Sequence, residues 1–322
     1  DGKERIRYCL RHFLGADTDN FTYHSLRLFL LGAIHRAFCP GCKFEVMLCL
    51  VGGQGAGKSS FFRLLAVNDD WFSDDLKKLD DENVYRKMQG HWIIEMSEMI
   101  ATANAKSIEE IKSFLSRQKE TYKIPYETHP ADRKRQCVFG GSSNTLDFLP
   151  LDRTGNRRFV PVMVYPERAE VHILADEQAS REYINQMWAE AMEIYRSGNF
   201  RLRFSPAMND YLKAHQKDFM PEDTKAGQIL DYLERYSGSI VCSKQLYKEA
   251  LGHDYDEPKQ WELREINDIM NNAVTGWRAF SNPRYFPEPY RRQKGWERIR
   301  NDNEPDNSMD GFQEIPTEEM EQ

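Results

Sequence analysis

The amino-acid sequence predicts an α/β fold, in which helices cover both faces of a sheet, with helices before it and a smaller domain after it. Three observations lead to this prediction. Short apolar runs, typical of buried strands, alternate with stripes of apolar residues at helical spacing. A glycine-rich stretch separates the first such run from the next helix. Beyond residue 220, three short helical stripes precede a basic segment rich in tryptophan, tyrosine and proline.

The composition of the 322 residues argues against a membrane protein. The longest apolar runs, residues 28–33 and 46–51, are far shorter than the ~20 residues of a membrane span. Residues 301–322 hold eight acids and no lysine or arginine, which leaves the other 300 residues with a net charge of +1. Such a body allows nucleic-acid binding through local basic patches. The six scattered cysteines are typical of reduced thiols, so we expect a cytoplasmic protein.

The predicted elements follow one another in a regular order. Apolar periodicity predicts helices over 4–38, a buried strand over 44–51 and a helix over 59–66. Further strands are predicted over residues 92–96, 137–141 and 159–164, and further helices over residues 107–118 and 183–195. Two prolines make residues 120–136 a hairpin or an extended loop. The resulting division is a helical segment 1–43, a central domain 44–205, a domain 220–300 and an acidic, disordered tail 301–322.

The glycine-rich stretch satisfies the pattern G-x-x-x-x-G-K-[ST] between a predicted strand and a predicted helix. In such a P-loop, backbone N–H groups surround phosphate oxygens, the lysine reaches the β- and γ-phosphates, and the hydroxyl binds Mg²⁺. We therefore expect ATP and Mg²⁺ as ligands; the competing interpretation is a glycine-rich turn with an exposed lysine. The residues expected to line the site are Gly52, Gly53, Gln54, Gly55, Ala56, Gly57, Lys58, Ser59 and Ser60.

Polar residues at the ends of later strands complete the predicted catalytic group. Glu95 ends an apolar run and is expected to hold Mg²⁺ together with Ser59. Glu98 is expected to orient or deprotonate the attacking water, and Asn144 to contact the γ-phosphate or that water. The alternatives are a surface carboxylate for Glu98 and a turn residue for Asn144.

Two arginines, Arg157 and Arg158, precede the last predicted strand of the central domain. A guanidinium inserted into the site of a neighbouring subunit would stabilise negative charge in the transition state. Salt bridges at a sheet edge are the alternative for both residues.

Several motifs in a fixed order resemble the virulence-associated protein E family over about residues 5–200, and more loosely to 300. They are residues 40–43, 52–59 with Phe61 and Phe62, 92–98, 116–119 and 154–159. This family is similar to the superfamily 3 helicases and AAA+ ATPases of phages and mobile elements. The resemblance implies a hexameric ring, with ATP between subunits and single-stranded DNA in a central channel. It also implies Walker B roles for Glu95 and Glu98, a sensor role for Asn144, and an arginine finger at Arg157 or Arg158.

Basic residues form two candidate DNA-binding patches. The resemblance places a DNA-contacting hairpin at residues 121–135, where tyrosines alternate with cations that can contact phosphates. The cations of this first patch are Arg117, Lys119, Lys123, Arg133, Lys134 and Arg135. The second patch lies where the wing of a winged-helix-like domain would meet duplex DNA, at Arg291, Arg292 and Lys294. A solvated hairpin and a domain used only for packing or subunit contacts are the alternatives.

The sequence thus predicts an ATP-dependent DNA helicase or replication-initiator ATPase. A nucleic-acid-binding switch in which ATP sets the oligomeric state is one alternative, and a P-loop kinase is another. The second basic patch and the arginine pair favour the ring motor over the kinase, which needs no arginine from a partner.

Overall fold

The computed structural model describes residues 1–76, 79, 84–98, 105–123, 129–151 and 156–299. The chain divides into two compact units, Asp1–Glu222 and Asp223–Gln322. Among the described residues, no helix combines the length and the apolar character needed to cross a membrane. The predicted acidic tail 301–322 lies outside the described residues.

The first unit alternates helices and strands. Its helices are α1 (Arg5–Leu14), α2 (Asn20–Phe38), α3 (Lys58–Leu65), α4 (Val84–Lys87), α5 (Ala105–Ser116), α6 (Glu177–Arg196) and α7 (Pro206–Gln216). Its strands are β1 (Met47–Val51), β2 (Phe72–Ser73), β3 (Ile93–Ser97), β4 (Lys119–Tyr122), β5 (Ala131–Lys134), β6 (Val138–Ser143) and β7 (Phe159–Met163). The predicted strands are present with ends shifted by a few residues, whereas the two-residue strand β2 carries too short a signal to be predicted.

Five strands form a parallel sheet in the order β2-β3-β6-β1-β7. Successive side chains of β1 point to opposite faces, as a strand requires. Leu48 and Leu50 join the core formed with α1, α2, α3 and α6, while Cys49 and Val51 join the core formed with α5. Helices therefore cover both faces, which confirms the predicted α/β class. The N-terminal helices α1 and α2 pack into the first of these cores.

Strands β4 and β5 form an antiparallel hairpin in the segment predicted to be a hairpin or loop. Lys119 pairs with Lys134, and Tyr122 pairs with Ala131. Residues 124–128 lie outside the described part of the chain.

The second unit combines helices with a small antiparallel sheet. Its helices are α8 (Thr224–Arg235), α9 (Ser243–Gln245), which continues as a π-helical turn (Leu246–Ala250), and α10 (Gln260–Asn272). Its strands are β8 (Ile240–Cys242), β9 (Trp277–Ala279), β10 (Arg284–Phe286), β11 (Arg291–Gln293) and β12 (Gly295–Arg298). The sheet order is β8-β12-β9, and β10 and β11 form a separate hairpin. Ile229, Leu246, Ile269 and Trp296 belong to one core that holds the helices against the sheet.

Candidate functional site

The glycine-rich loop connects the end of β1 to the start of α3, at the carboxyl edge of the sheet. Gly55 and Gly57 adopt φ angles of 81° and 80°, a left-handed conformation that suits glycine. Gly52 has no room for a side chain, because a Cβ atom there would lie 2.3 Å from the Val164 carbonyl oxygen. The backbone at Gly53 and Gln54 is exposed, and α3 begins at Lys58. A helix start that follows such a loop favours binding of an anion.

Lys58 is buried beneath this loop. Its Nζ atom donates to the carbonyl oxygens of Gly52 at 2.7 Å and Gly53 at 2.9 Å, and to Asn144 Oδ1 at 2.9 Å. Burial lowers the pKa of the Lys58 ammonium, and the negative charges of Glu98 and Glu95 oppose this shift. The bond to Asn144 joins the loop after β1 to the end of β6, its neighbour in the sheet. The alternative interpretation, an exposed lysine on a turn, does not fit this geometry.

Glu95 on β3 faces the start of α3. Its Oε1 atom accepts hydrogen bonds from Ser59 Oγ at 2.8 Å and Ser142 Oγ at 2.6 Å. Its Oε2 atom is buried without a hydrogen-bond partner. Burial raises the pKa of Glu95, and the two hydroxyl donors oppose this shift. Sequence reasoning missed Ser142, whose only signal was its place near the end of an apolar strand.

These oxygen atoms suit Mg²⁺. A buried carboxylate oxygen that lacks a donor, next to a serine hydroxyl, provides the hard ligands that this ion prefers. Within the described residues, no cluster of three or more His, Cys, Asp or Glu residues could hold a metal ion. Mg²⁺ sites in phosphate-binding proteins commonly use one or two protein ligands together with water and substrate phosphates. Ser59 and Glu95 are therefore the residues that fit this ion.

Glu98 and Asn144 meet at the same edge of the sheet. The Asn144 backbone N–H donates to Glu98 Oε1 at 2.9 Å, and the Glu98 backbone N–H donates to the Ser142 carbonyl oxygen at 3.0 Å. Glu98 adopts a left-handed backbone with φ 52°, which is uncommon for a residue other than glycine. The structure thus brings Lys58 and Ser59 together with Glu95 on β3 and with Glu98 and Asn144, which directly follow β3 and β6. These residues are far apart in the sequence.

Arg157 and Arg158 lie at the opposite edge of the sheet. They precede β7, whereas the glycine-rich loop follows the neighbouring parallel strand β1. A five-residue strand separates these edges by about 17 Å. Arg157 Nη2 lies 3.2 Å from Glu45 Oε1 and its side chain is 67% exposed. Arg158 is half-buried and donates from Nε to Ser116 Oγ at 2.9 Å, so only Arg157 is well exposed for contact with another molecule.

The hairpin residues predicted to bind DNA differ in exposure. Lys119, Lys123 and Lys134 are exposed, although Lys119 forms an ion pair with Asp132. Arg133 lies over the ring of Tyr122, 5.3 Å from its centroid.

The two arginines that flank the hairpin have structural contacts. Arg117 contacts the Tyr85 hydroxyl and lies 5.8 Å from the centre of its ring. Arg135 departs from the predicted DNA-contacting role, since its side chain is fully buried. It pairs with Glu120 and donates to the Phe114 carbonyl oxygen at 2.6 Å. This arginine fastens the root of the hairpin to α5 and cannot reach a phosphate without leaving that core.

The predicted wing residues lie on or beside the β10–β11 hairpin of the second unit. Arg291, Arg292 and Lys294 are exposed. Arg291 lies 3.3 Å from Glu288, and β11 pairs with β10 so that Arg292 faces the exposed Tyr285. The hairpin therefore presents cations and one aromatic ring to solvent.

Comparisons with known proteins give a family and a fold. A family model for the virulence-associated protein E-like domain matches residues 1–221. A solved structure described as the A form apo structure of the NrS-1 C terminal region has 14% identity and a TM-score of 0.51, and the match covers 93% of this chain and 76% of that one. Another apo structure of the same region has 13% identity and a TM-score of 0.49 over the same shares. The first likeness shows the fold alone. The chain matches no curated protein.

Proposed function

Because the chain belongs to the virulence-associated protein E-like family, we propose that it is an ATP-dependent DNA helicase or replication-initiator ATPase of a phage or mobile genetic element. One observation carries the ATPase part of this proposal. Lys58 and Ser59, on the helix that follows the glycine-rich loop, contact Asn144, which follows β6, and Glu95, which lies on β3. A glycine-rich turn without function does not require this convergence.

In the proposed reaction, the glycine-rich loop and Lys58 bind the phosphates of ATP. The Lys58 ammonium exchanges its bonds to the Gly52 and Gly53 carbonyl oxygens for bonds to phosphate oxygens. Ser59 and Glu95 would hold Mg²⁺, which neutralises phosphate charge when bound. A bound Mg²⁺ would supply the positive partner that the buried Glu95 carboxylate lacks.

Glu98 is the proposed general base for the attacking water. Its Oε1 atom lies 2.9 Å from the Asn144 backbone nitrogen, so that bond orients the carboxylate at the edge where the phosphates would lie. The Asn144 side chain contacts Lys58 and is placed to donate to the γ-phosphate or to the water. The left-handed backbone at Glu98 is consistent with a residue held in place for function.

The proposed assembly is a hexameric ring in which one subunit completes the site of the next. The arginines at 157 and 158 lie at the edge of the sheet opposite their own glycine-rich loop, so neither can serve that loop within one chain. Arg157 is the better candidate for the finger because it is exposed, whereas Arg158 is tied to Ser116 and Glu45. Single-stranded DNA would contact the β4–β5 hairpin, and the second unit, proposed to be winged-helix-like, would contact duplex DNA through β10–β11.

A nucleic-acid-binding switch that does not unwind DNA is the second candidate. The exposed cations and the phosphate loop serve it equally well, because ATP binding alone can set the oligomeric state. The two functions differ in turnover, since only a motor needs hydrolysis that is stimulated by single-stranded DNA.

The deciding experiment measures ATP hydrolysis by the Lys58→Ala variant with Mg²⁺. We expect turnover to fall by at least about 100-fold, because a charge that stabilises the transferring phosphate is lost. Lys213→Ala, which removes an exposed lysine on α7, is the matched control and should hydrolyse ATP like the wild type. Unchanged turnover in Lys58→Ala would exclude the assigned ATP site.

A second measurement separates the motor from the switch. Addition of single-stranded DNA should raise the ATP turnover of the wild type several-fold. A constant rate, measured with DNA at saturating concentration, would favour the switch.

A further inference from the structure

The first unit has a large cleft at the amino edge of the sheet, on the side opposite the glycine-rich loop. Its volume is about 910 Å³, within the range of sites that bind small molecules. The floor contains Trp92 and Cys137, which directly precede β3 and β6. One wall is the β4–β5 hairpin, including Tyr122 and Arg133. The cleft is therefore separate from the ATP site, yet continuous with the hairpin proposed to contact DNA.

Aromatic rings line much of this cleft. Trp92 and Trp188 stack with ring centroids 4.7 Å apart, and Tyr85 and Tyr122 stack with centroids 6.0 Å apart. The indole nitrogens of Trp92 and Trp188 donate to backbone carbonyl oxygens, which fixes both rings as a floor. Trp71 is different, because it lines the cleft with 46% of its surface exposed. Flat exposed rings of this kind stack well on nucleobases.

The charges of the cleft favour an anionic ligand. Among the described residues that line it, Glu120 pairs with Arg135 and Asp132 pairs with Lys119. Lys134, which is exposed, adds a positive charge on the hairpin wall.

We propose that this cleft binds one nucleotide of the single strand, with the base stacked on Trp71 and the adjacent phosphates bound by Lys134. The inference rests on the proposed function, because it names where the β4–β5 hairpin holds that strand. A base supplies the flat apolar faces that suit the aromatic rings, and the adjacent phosphates suit the positive charge of Lys134. The cleft would thus bind a base, whereas the hairpin cations alone would bind only the sugar-phosphate backbone of the DNA.

The test measures binding of a labelled oligothymidine by fluorescence anisotropy, without ATP, for the wild type, Trp71→Ala and Trp71→Phe. Trp71→Ala should weaken binding about tenfold, because a stacking platform is lost, while Trp71→Phe should stay near the wild type. Tyr8→Ala, which removes an exposed ring on α1, is the control and should bind like the wild type. Unchanged affinity in Trp71→Ala would overturn the proposal and leave the cleft to a protein partner.

A second measurement on the wild type does not depend on how the variants fold. Photocrosslinking with a bromodeoxyuridine oligomer should link the base to the peptide that contains Trp71 or Tyr122, and crosslinks found only elsewhere would contradict the assignment. Free thymidine monophosphate should compete weakly, since it lacks neighbouring phosphates. Full competition at the oligomer's own nucleotide concentration would show a free-nucleotide site and overturn the assignment to a strand.

The outcomes also separate this inference from the proposed function. Trp71→Ala should keep the DNA-independent ATP turnover of the wild type, because Trp71 is remote from the glycine-rich loop. If DNA binds and crosslinks to Trp71 without stimulating ATP hydrolysis, the proposal of a DNA-stimulated motor is wrong, whereas the proposal that the cleft binds a base is supported. If the wild type hydrolyses ATP through Lys58 but binds no DNA, the proposal that the cleft binds a base is wrong, whereas the proposed ATP site is supported.

Discussion

At the scale of single residues, Glu95 shows how a proposed catalytic group can oppose stability. The residue is 1% exposed, one carboxylate oxygen has no hydrogen-bond partner, and burial raises the pKa of the side chain. The folded protein therefore binds this proton more tightly than the unfolded chain does. Stability is favoured at low pH, where Glu95 is protonated in both states, and decreases as the pH rises from the unfolded pKa through the raised folded pKa. At neutral pH an ionised Glu95 destabilises the ligand-free protein.

Replacement of the charged Glu95 side chain by a neutral one should increase the stability of the protein and abolish ATP hydrolysis. Glu95→Gln keeps an oxygen that can accept from Ser59 and Ser142, and it removes the buried charge. We expect the free energy of unfolding at neutral pH to rise by about 0.5–2 kcal/mol, with no ATP turnover. Denaturant unfolding at neutral and acidic pH checks this, since the gain should shrink as the pH falls. A lower stability of the Glu95→Gln protein at neutral pH would contradict the conclusion that the buried charge of Glu95 destabilises the ligand-free protein.

Arg36 is a structural counterpart that sequence reasoning missed. It is fully buried at the end of α2 and donates to the carbonyl oxygens of Cys137 and Phe44, just before β6 and β1. Burial lowers the pKa of this guanidinium to about 10, which leaves it charged at neutral pH. One side chain thus holds the starts of two neighbouring strands.

Removal of the hydrogen bonds that Arg36 donates should lower the stability of the protein. Arg36→Met leaves buried carbonyl oxygens without donors, so we expect a loss of about 1–3 kcal/mol in the free energy of unfolding. Urea denaturation measures this loss in the free energy of unfolding. Arg201→Met, at an exposed arginine of the same unit, is a comparison variant that should change stability by less than about 0.5 kcal/mol. Equal stability of both variants would show that the carbonyl oxygens find other donors.

At the scale of elements, the position of α3 depends on a glycine in β6. A Cβ atom at Gly140 would lie 2.4 Å from the ring of Phe62, which belongs to the helix that carries Lys58 and Ser59. Phe62 is fully buried, so it has little room to move. Close packing of β6 against α3 therefore sets the distance between Ser59 and the strands that carry its partners.

A methyl group at this position should disturb both stability and nucleotide binding. Gly140→Ala is expected to lower the free energy of unfolding by about 1–3 kcal/mol and to raise KM for ATP, because α3 must shift. Gly227→Ala in α8 is the matched control, since its Cβ meets open space. That control should be neutral or more stable, as alanine favours a helix. Thermal unfolding and steady-state kinetics test both, and a KM unchanged in Gly140→Ala would show that α3 does not depend on this contact.

At the scale of the whole molecule, the two edges of the sheet have different proposed tasks. The carboxyl edge holds the phosphate loop with Glu95, Glu98 and Asn144, while the amino edge holds Arg157 and the aromatic cleft. A ring in which one subunit's amino edge faces the next subunit's carboxyl edge would bring Arg157 to a phosphate site. Removal of Arg157 leaves Arg158 beside Glu45, so we expect the fold to tolerate this change.

Mixing of variants tests this arrangement. Arg157→Ala subunits keep a complete phosphate loop, and Lys58→Ala subunits keep Arg157, so the mixture should hydrolyse ATP faster than either variant alone. Arg158→Ala should instead lose stability, because its contacts with Ser116 and Glu45 are lost. If the mixture shows no rescue while each variant remains folded, Arg157 does not act in a neighbouring site.

The sequence by itself determined the features that local patterns encode. Apolar runs located the main strands of the sheet, helical stripes located α2 and α6, and the glycine spacing located the loop that ends at Lys58. These signals act within a few residues, so they survive without knowledge of the fold. The sequence also marked Glu95 and Asn144 as polar residues at the ends of strands.

Only the tertiary structure decided which distant residues meet. The order β3-β6-β1 brings Asn144 to Lys58 and places Ser142 beside Glu95, and no local pattern specifies that order. Burial likewise assigned Arg135 to the core, although its neighbours in the sequence made it look like a DNA contact. Both outcomes depend on how segments far apart in the chain pack to bury apolar surface and satisfy polar groups, and that is a property of the whole fold.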